Sequence, residues 1–249
     1  MSRLQVARDG AIHRVTLMNH GKLNTVNSPI LEELAGAFAV PDDIRAVVLT
    51  GEGDRAFIGG ADISEMGAIG SPEQARAFIS RINAVNAAIR ACPVPVIARI
   101  QGWCLGAGLE IAAACDLRLS SDRAKFGMPE VRVGIPSVVE AALLPNLIGW
   151  GRTRRLLLLA ETLDAATAES WGLVERVVPH AALDAALDEW LHLLLEAGPR
   201  AIRDQKALIS RWEGLGLEAA IAAGIDAFGG AFETDEPRRM LGAFLQRKR

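Results

Sequence analysis

Residues 100–116 read Ile-Gln-Gly-Trp-Cys-Leu-Gly-Ala-Gly-Leu-Glu-Ile-Ala-Ala-Ala-Cys-Asp. The stretch predicts a strand ending near Gly102 and a helix starting at about Gly106-Ala107-Gly108. Glycines at that junction allow close backbone approach and dihedrals that other residues avoid. A helix starting there leaves its first N–H groups unpaired at the positive end of the dipole, a seat for developing negative charge. Glu110 falls one turn inside, between Leu109 and Ile111-Ala112-Ala113-Ala114. A carboxyl in such apolar company holds its proton to higher pH, in the range useful for acid–base chemistry. On the residues alone, a structural Glu110 on a half-solvated helix fits at least as well.

Working outward, residues 15–17, 46–50, 94–100 and 117–120 are rich in Val, Ile, Leu and Thr and suit buried strands. Residues 29–39 and 72–91 carry apolar side chains at three- and four-residue intervals, as amphipathic helices do. Ser28-Pro29 and Ser71-Pro72 supply a cap followed by proline at the first helical position. This alternation predicts an α/β core. Beyond about residue 180 the strand signals stop, and 181–196, 199–212, 216–227 and 235–249 read as successive helices.

Two further stretches could carry chemistry. Ala56-Phe-Ile-Gly-Gly-Ala-Asp-Ile-Ser-Glu-Met66 contains a second glycine turn, with Asp62 or Ser64 available to cap the helix that follows. With the Gly106 turn it offers two separate backbone donors, as an oxyanion hole requires. Lys125-Phe-Gly-Met-Pro-Glu-Val-Arg-Val-Gly-Ile-Pro136 places Glu130 among apolar neighbours, a second carboxylate that could work beside the first. Each stretch alone also reads as an ordinary structural corner.

Composition narrows the classes. The chain has 249 residues, half of them apolar, with a formal charge of −3. It can bury a sizeable core and lacks the basic face that nucleic-acid binding favours. Cys92, Cys104 and Cys115 have no C-x-x-C spacing and read as reduced, packed thiols in a cytoplasmic protein, with no metal site expected. The N-terminus has no signal-peptide pattern, and no uncharged run approaches a membrane span. G-x-S-x-G, P-loop, H-E-x-x-H and complete G-x-G-x-x-G patterns are all missing.

Taken together, the stretches resemble the enoyl-CoA hydratase/isomerase (crotonase) superfamily over nearly the whole chain. The resemblance runs through Asn24-Thr-Val-Asn27, Ala56 to Ile63, Gly106-Ala-Gly-Leu-Glu110 and Phe126-Gly-Met-Pro-Glu130. It continues in Ala168-Glu-Ser-Trp-Gly-Leu-Val-Glu-Arg-Val-Val-Pro179 and the tail Met240-Leu-Gly-Ala-Phe-Leu-Gln-Arg-Lys-Arg249. It implies a spiral core of repeated ββα units over residues 1–180 and a helical trimerisation region over 181–249, giving a homotrimer or a hexamer of two trimers. It also implies that the amides of Ala61 and Ala107 hold the thioester oxygen. Glu110 then activates water, and Glu130 delivers a proton to Cα. Gly59, Ala61, Asp62 and Ile63 match the segment that receives CoA, and Phe244 and Arg247 match tail positions that reach it. No cofactor is implied beyond the coenzyme A of the substrate.

The chain departs from the family after Glu130. Many hydratases carry G-x-I-P-G-x-G-G-T-Q-R-L there; this chain has Gly134-Ile-Pro-Ser-Val-Val-Glu-Ala-Ala-Leu-Leu144, one residue shorter and without those glycines. That loop borders the acyl pocket in the family, so the acyl group stays open. The added Glu140 reads either as facing the pocket or as an early helical residue favouring the dipole. A double-bond isomerase, a dehydratase of a specialised CoA ester and a non-catalytic acyl-CoA binder are the alternatives. An RNA-binding role would want a lysine-rich helix, and 73–90 offers scattered arginines.

Overall fold

The computed structural model describes residues 4–247, the side chain of Arg247 excepted. Strands β1 (Leu4–Asp9) and β2 (Ile12–Leu17) form an antiparallel hairpin, followed by helix α1 (Ser28–Gly36). A strand–strand–helix unit then recurs. β3 (Ala46–Gly51) and β4 (Ala56–Ile58) lead to α2 (Ile63–Gly67) and α3 (Pro72–Ala91). β5 (Val96–Ile100) and β6 (Trp103–Leu105) lead to α4 (Ala107–Ala114). β7 (Leu117–Ser121) and β8 (Lys125–Gly127) lead through two 3-10 turns to α5 (Leu144–Leu159). β9 (Thr162–Asp164), α6 (Ala165–Trp171) and β10 (Arg176–Val178) complete the two sheets.

The first strand of each unit joins a large sheet ordered β1-β2-β3-β5-β7-β10, and the second joins a small sheet ordered β4-β6-β8-β9. Equivalent strands pair in parallel, β3 with β5 and β5 with β7 in one sheet, β4 with β6 and β6 with β8 in the other. Each unit therefore advances one place in both sheets, which winds the chain into the expected spiral of ββα units.

Side-chain alternation along the large sheet feeds two cores. Val47 and Leu49 of β3 pack inward with Phe57, Ile82, Leu109 and Phe126. Val48, Ile97 and Leu119 point the other way and are covered by Leu183, Leu187 and Leu191 of α7 (Leu183–Glu196). Helices α8 (Pro199–Trp212), α9 (Leu217–Ala231) and α10 (Glu236–Arg247) follow, and no strand occurs after β10 among the described residues. Glu236, the first residue of α10, turns back to accept the N–H groups of Arg200 (3.1 Å) and Ala201 (2.9 Å), closing the start of α8. Lys206 of α8 donates to Asp116 (2.6 Å) and to the carbonyls of Ile89 and Val94, tying that helix to the far end of α4. No helix among the described residues is long and apolar enough to cross a membrane.

Helices at 72–91 and 199–212 occupy the expected spans. The short strands β4, β6 and β8 were not separable in the sequence, because three residues carry no period. One cap differs from expectation. Asn27, not Ser28, caps α1 by accepting the Ile30 N–H (3.2 Å), while the Ser28 hydroxyl donates to Glu65 on α2. A carboxylate is the stronger partner for a hydroxyl, and extended backbone at Asn27 leaves its carbonyl oxygen facing the open N–H. Ser71 caps α3 as expected.

Candidate active site

The small sheet's parallel strands all deliver their carboxyl ends to one place. β4 runs into Gly59-Gly60-Ala61, β6 into Gly106-Ala107, and β8 into Met128-Pro129-Glu130. Val26 braces the first turn by donating to Gly60 (3.0 Å) and accepting from the Asp62 N–H (2.8 Å), an arrangement that leaves the Ala61 N–H pointing away. The buried Asn24 side chain holds the strand behind it through the Ala56 carbonyl (2.8 Å). At the second turn Gly106 takes φ +51°, a left-handed angle that glycine adopts freely. Gly108 lies so close to β4 that a Cβ there would sit 2.1 Å from the Ile58 carbonyl oxygen. Neither the Ala61 nor the Ala107 N–H is taken by an acceptor among the described residues.

Glu110 stands on the first turn of α4 and is 4% exposed. Burial, and then the neighbouring charges of Glu130 and Glu140, push its pKa up from 4.5 to about 8; backbone hydrogen bonds from Val138 and Ala141 pull the other way. Glu130 starts a 3-10 turn, Glu130–Val133, and is partly exposed. Its Oε2 accepts the Ser137 hydroxyl at 2.8 Å, and its Oε1 lies over Gly106, 2.5 Å from where a Cβ would be.

These groups enclose a cavity of ≈ 230 Å³. Gly59, Ala61, Ile63, Ala107, Glu110 and Glu130, all singled out in the sequence, line it together. Phe78, Ile79 and Ile82 of α3, Val133 of the Glu130 turn, and Ile135 and Val138 of the altered loop supply apolar walls. A larger hollow of ≈ 350 Å³ lies by the other end of α4 and touches neither glutamate. Its Lys206 and Arg118 are already matched by Asp116 and Glu175.

Three candidate positions lie elsewhere. Asp62 caps α2, accepting the N–H groups of Ser64 (2.8 Å) and Glu65 (3.3 Å). The Lys22 ammonium 3.1 Å away holds its carboxyl below the usual range. Asp62 therefore orients the exposed Ile63 without itself lining the cavity. Phe244 sits on α10, exposed and outside the cavity lining. The Arg247 side chain lies outside the described residues.

Of the two readings of Glu140, the early helical one fits: it lies in the first turn of a 3-10 helix, Val139–Leu143, that runs into α5, and it is buried. Its carboxylate accepts the Nδ2 of fully buried Asn86 at 2.6 Å, and it is not among the residues lining the cavity. Ser137 was missed altogether in the sequence; the only signal was that it stands where the family's loop pattern, G-x-I-P-G, has its second glycine.

Comparison with known proteins places this geometry. The family model for enoyl-CoA hydratase/isomerase matches residues 7–249. The chain is 32% identical to the short-chain-enoyl-CoA hydratase of Clostridium acetobutylicum, over all of this chain and 97% of that protein. It is 35% identical to the crotonyl-CoA hydratase of Syntrophomonas wolfei, over 91% of this chain and 88% of that one. Among solved structures, the enoyl-CoA hydratase of Mycobacterium smegmatis superposes with a TM-score of 0.95 at 29% identity, covering 98% of this chain and 96% of that one. The Bacillus anthracis enoyl-CoA hydratase gives 0.94 at 30% identity, covering 98% and 96%.

Proposed function

This chain belongs to the enoyl-CoA hydratase/isomerase family, and we propose that it adds water across the 2,3 double bond of an enoyl-CoA thioester, with Glu110 and Glu130 as its acid–base pair. The observation that carries this reading is the meeting of two carboxyl groups and two untaken backbone N–H groups around one apolar cavity. The thioester oxygen accepts from Ala61 and Ala107, which stabilise the enolate-like charge as it forms. Donors of that kind are worth about 3–4 kcal/mol each in other enzymes. Water held between the glutamates attacks Cβ, Glu110 takes its proton, and Glu130 gives one to Cα.

Glu110 must be ionised to act as the base. Its buried seat makes it a strong one, available as pH rises through about 8. The modest cavity and the names of the two relatives favour a short acyl group. Gly59, Ala61 and Ile63 border the path for the pantetheine arm, with Asp62 holding the turn. The exposed apolar row Leu217, Ile221, Ile225 and Phe228 on α9 supports a homotrimer, or a hexamer of paired trimers, built on residues 181–249. In that assembly Phe244 and Arg247 reach a neighbour's CoA. The reaction needs no further cofactor, and its proposed setting is the cytoplasm.

The test is the loss of enoyl absorbance from crotonyl-CoA in water. Wild type is expected to be active, and Glu110→Gln and Glu130→Gln each to lose roughly 10²–10⁴-fold in kcat. A wild type that leaves 2-enoyl esters of several lengths untouched but forms them from 3-enoyl esters is an isomerase instead. Inactivity in both assays with tight CoA binding would leave a binder.

A further inference from the structure

Building on the hydratase reading, we propose that Ser137 is a positioning residue that gives the two oxygens of Glu130 different tasks: Oε2 is held by its hydroxyl, and Oε1 is left as the proton-transferring atom. The Ser137 Oγ donates to Oε2 at 2.8 Å and is the one side chain hydrogen-bonded to this carboxylate among the described residues. A glutamate's terminal torsion is broad and two-fold, so an unanchored, half-exposed carboxylate turns over and exchanges its oxygens. The hydroxyl removes that freedom. Oε1 is thereby left over Gly106, the residue preceding the Ala107 amide that receives the thioester oxygen. Cα is bonded to that thioester carbonyl carbon, so Oε1 stands on the side where the proton is delivered.

The hydroxyl is itself well held. Pro136 fixes the backbone φ just before it. After it, Val138 donates to Glu110, Val139 accepts a left-handed φ of +40° that a β-branched residue rarely adopts, and Glu140 is anchored on Asn86. The segment departing from the family thus contacts both glutamates, and Ser137 is its contact with Glu130. Pre-organisation of this kind acts on the chemical step and leaves substrate binding alone.

Crystal structures and crotonyl-CoA kinetics of the full-length wild type, Ser137→Ala and Ser137→Thr test the assignment. In Ser137→Ala the Glu130 carboxylate should rotate or split into two orientations. Its kcat should fall between about tenfold and a hundredfold, with KM within about twofold of wild type. Ser137→Thr, which keeps the hydroxyl, should restore both the single orientation and most of kcat. A Glu130 carboxylate that stays in one unchanged orientation in Ser137→Ala overturns the proposal whatever the activity. So does a released carboxylate with kcat unchanged. A wild type inert toward enoyl-CoA esters is a different failure: it removes the hydratase reading on which the assignment rests.

Discussion

Glu110 and Glu130 face the same cavity from unlike seats. Glu110 rides the first turn of a helix laid directly on the small sheet, almost dry, with the backbone of Val138 and Ala141 against it. Glu130 stands on a single 3-10 turn at the cavity's edge, partly in solvent, and takes its hydrogen bond from a serine side chain. A seat made of backbone demands glycine where chains touch but is indifferent to most side chains. A seat made of side chains can be rebuilt by one substitution. The two halves of the proposed acid–base pair are therefore unequally open to change.

The largest expected effect breaks the backbone seat. Gly108→Ala puts a Cβ 2.1 Å from the Ile58 carbonyl oxygen, where neither main chain can yield cheaply. Stability should drop by about 3–5 kcal/mol, read as a lower denaturant midpoint with unchanged m-value. A wild-type midpoint would mean that α4 does not lie on β4 as described. Second is the cost of keeping Glu110 dry. Its carboxyl is neutral in the folded protein up to about pH 8 but ionises near 4.5 when unfolded. Its contribution is therefore fully present below about pH 4.5 and is lost as pH rises toward 8, by roughly 1.4 kcal/mol per unit. Glu110→Gln lacks this slope. At pH 8.5 it should exceed wild type by on the order of 2–4 kcal/mol, and parallel melting curves of the two proteins from pH 5 to 8.5 would exclude it.

The third outcome separates the roles of the pair. With Glu110 as base, kcat/KM should climb about tenfold per pH unit and level off above about 8. A rate that falls through the same region would make Glu110 the proton donor and reverse the assignment. The smallest effect fine-tunes the same seat. Glu140→Gln keeps a partner for Asn86 but removes a charge near Glu110, so the rising limb should move to lower pH, by less than about one unit. No displacement of the limb would show that Glu140 serves only to anchor its turn.

The same division explains what the sequence made legible. Gly106, Gly108 and Glu110 could be read in one stretch because helix start, close approach and apolar burial are local facts. The long helices were equally plain, since residues 72–91 span more than five turns of a 3.6-residue period. The small sheet was not, because β4, β6 and β8 are three residues each and make sense only as partners. Asn27 took the capping role from Ser28 because a carboxylate 37 residues away claims the serine hydroxyl. Ser137 escaped, and Glu140 was left between two readings, for the same reason: their partners, Glu130 and Asn86, are set by how the loop folds back.

Glu236 carries a consequence for how the chain is completed. Synthesis proceeds from the N-terminus, so α8 emerges with its first N–H groups open and stays that way until residue 236 arrives to close them. Lys206, halfway along that helix, in turn holds Asp116 beneath the end of α4. A nascent chain that stalls, or a protease that clips before residue 236, leaves this strut loosely footed even though both glutamates and both glycine turns are already made. The tail thus works as a closing stitch for the candidate site, and its loss would be felt first as a shorter lifetime of the folded enzyme.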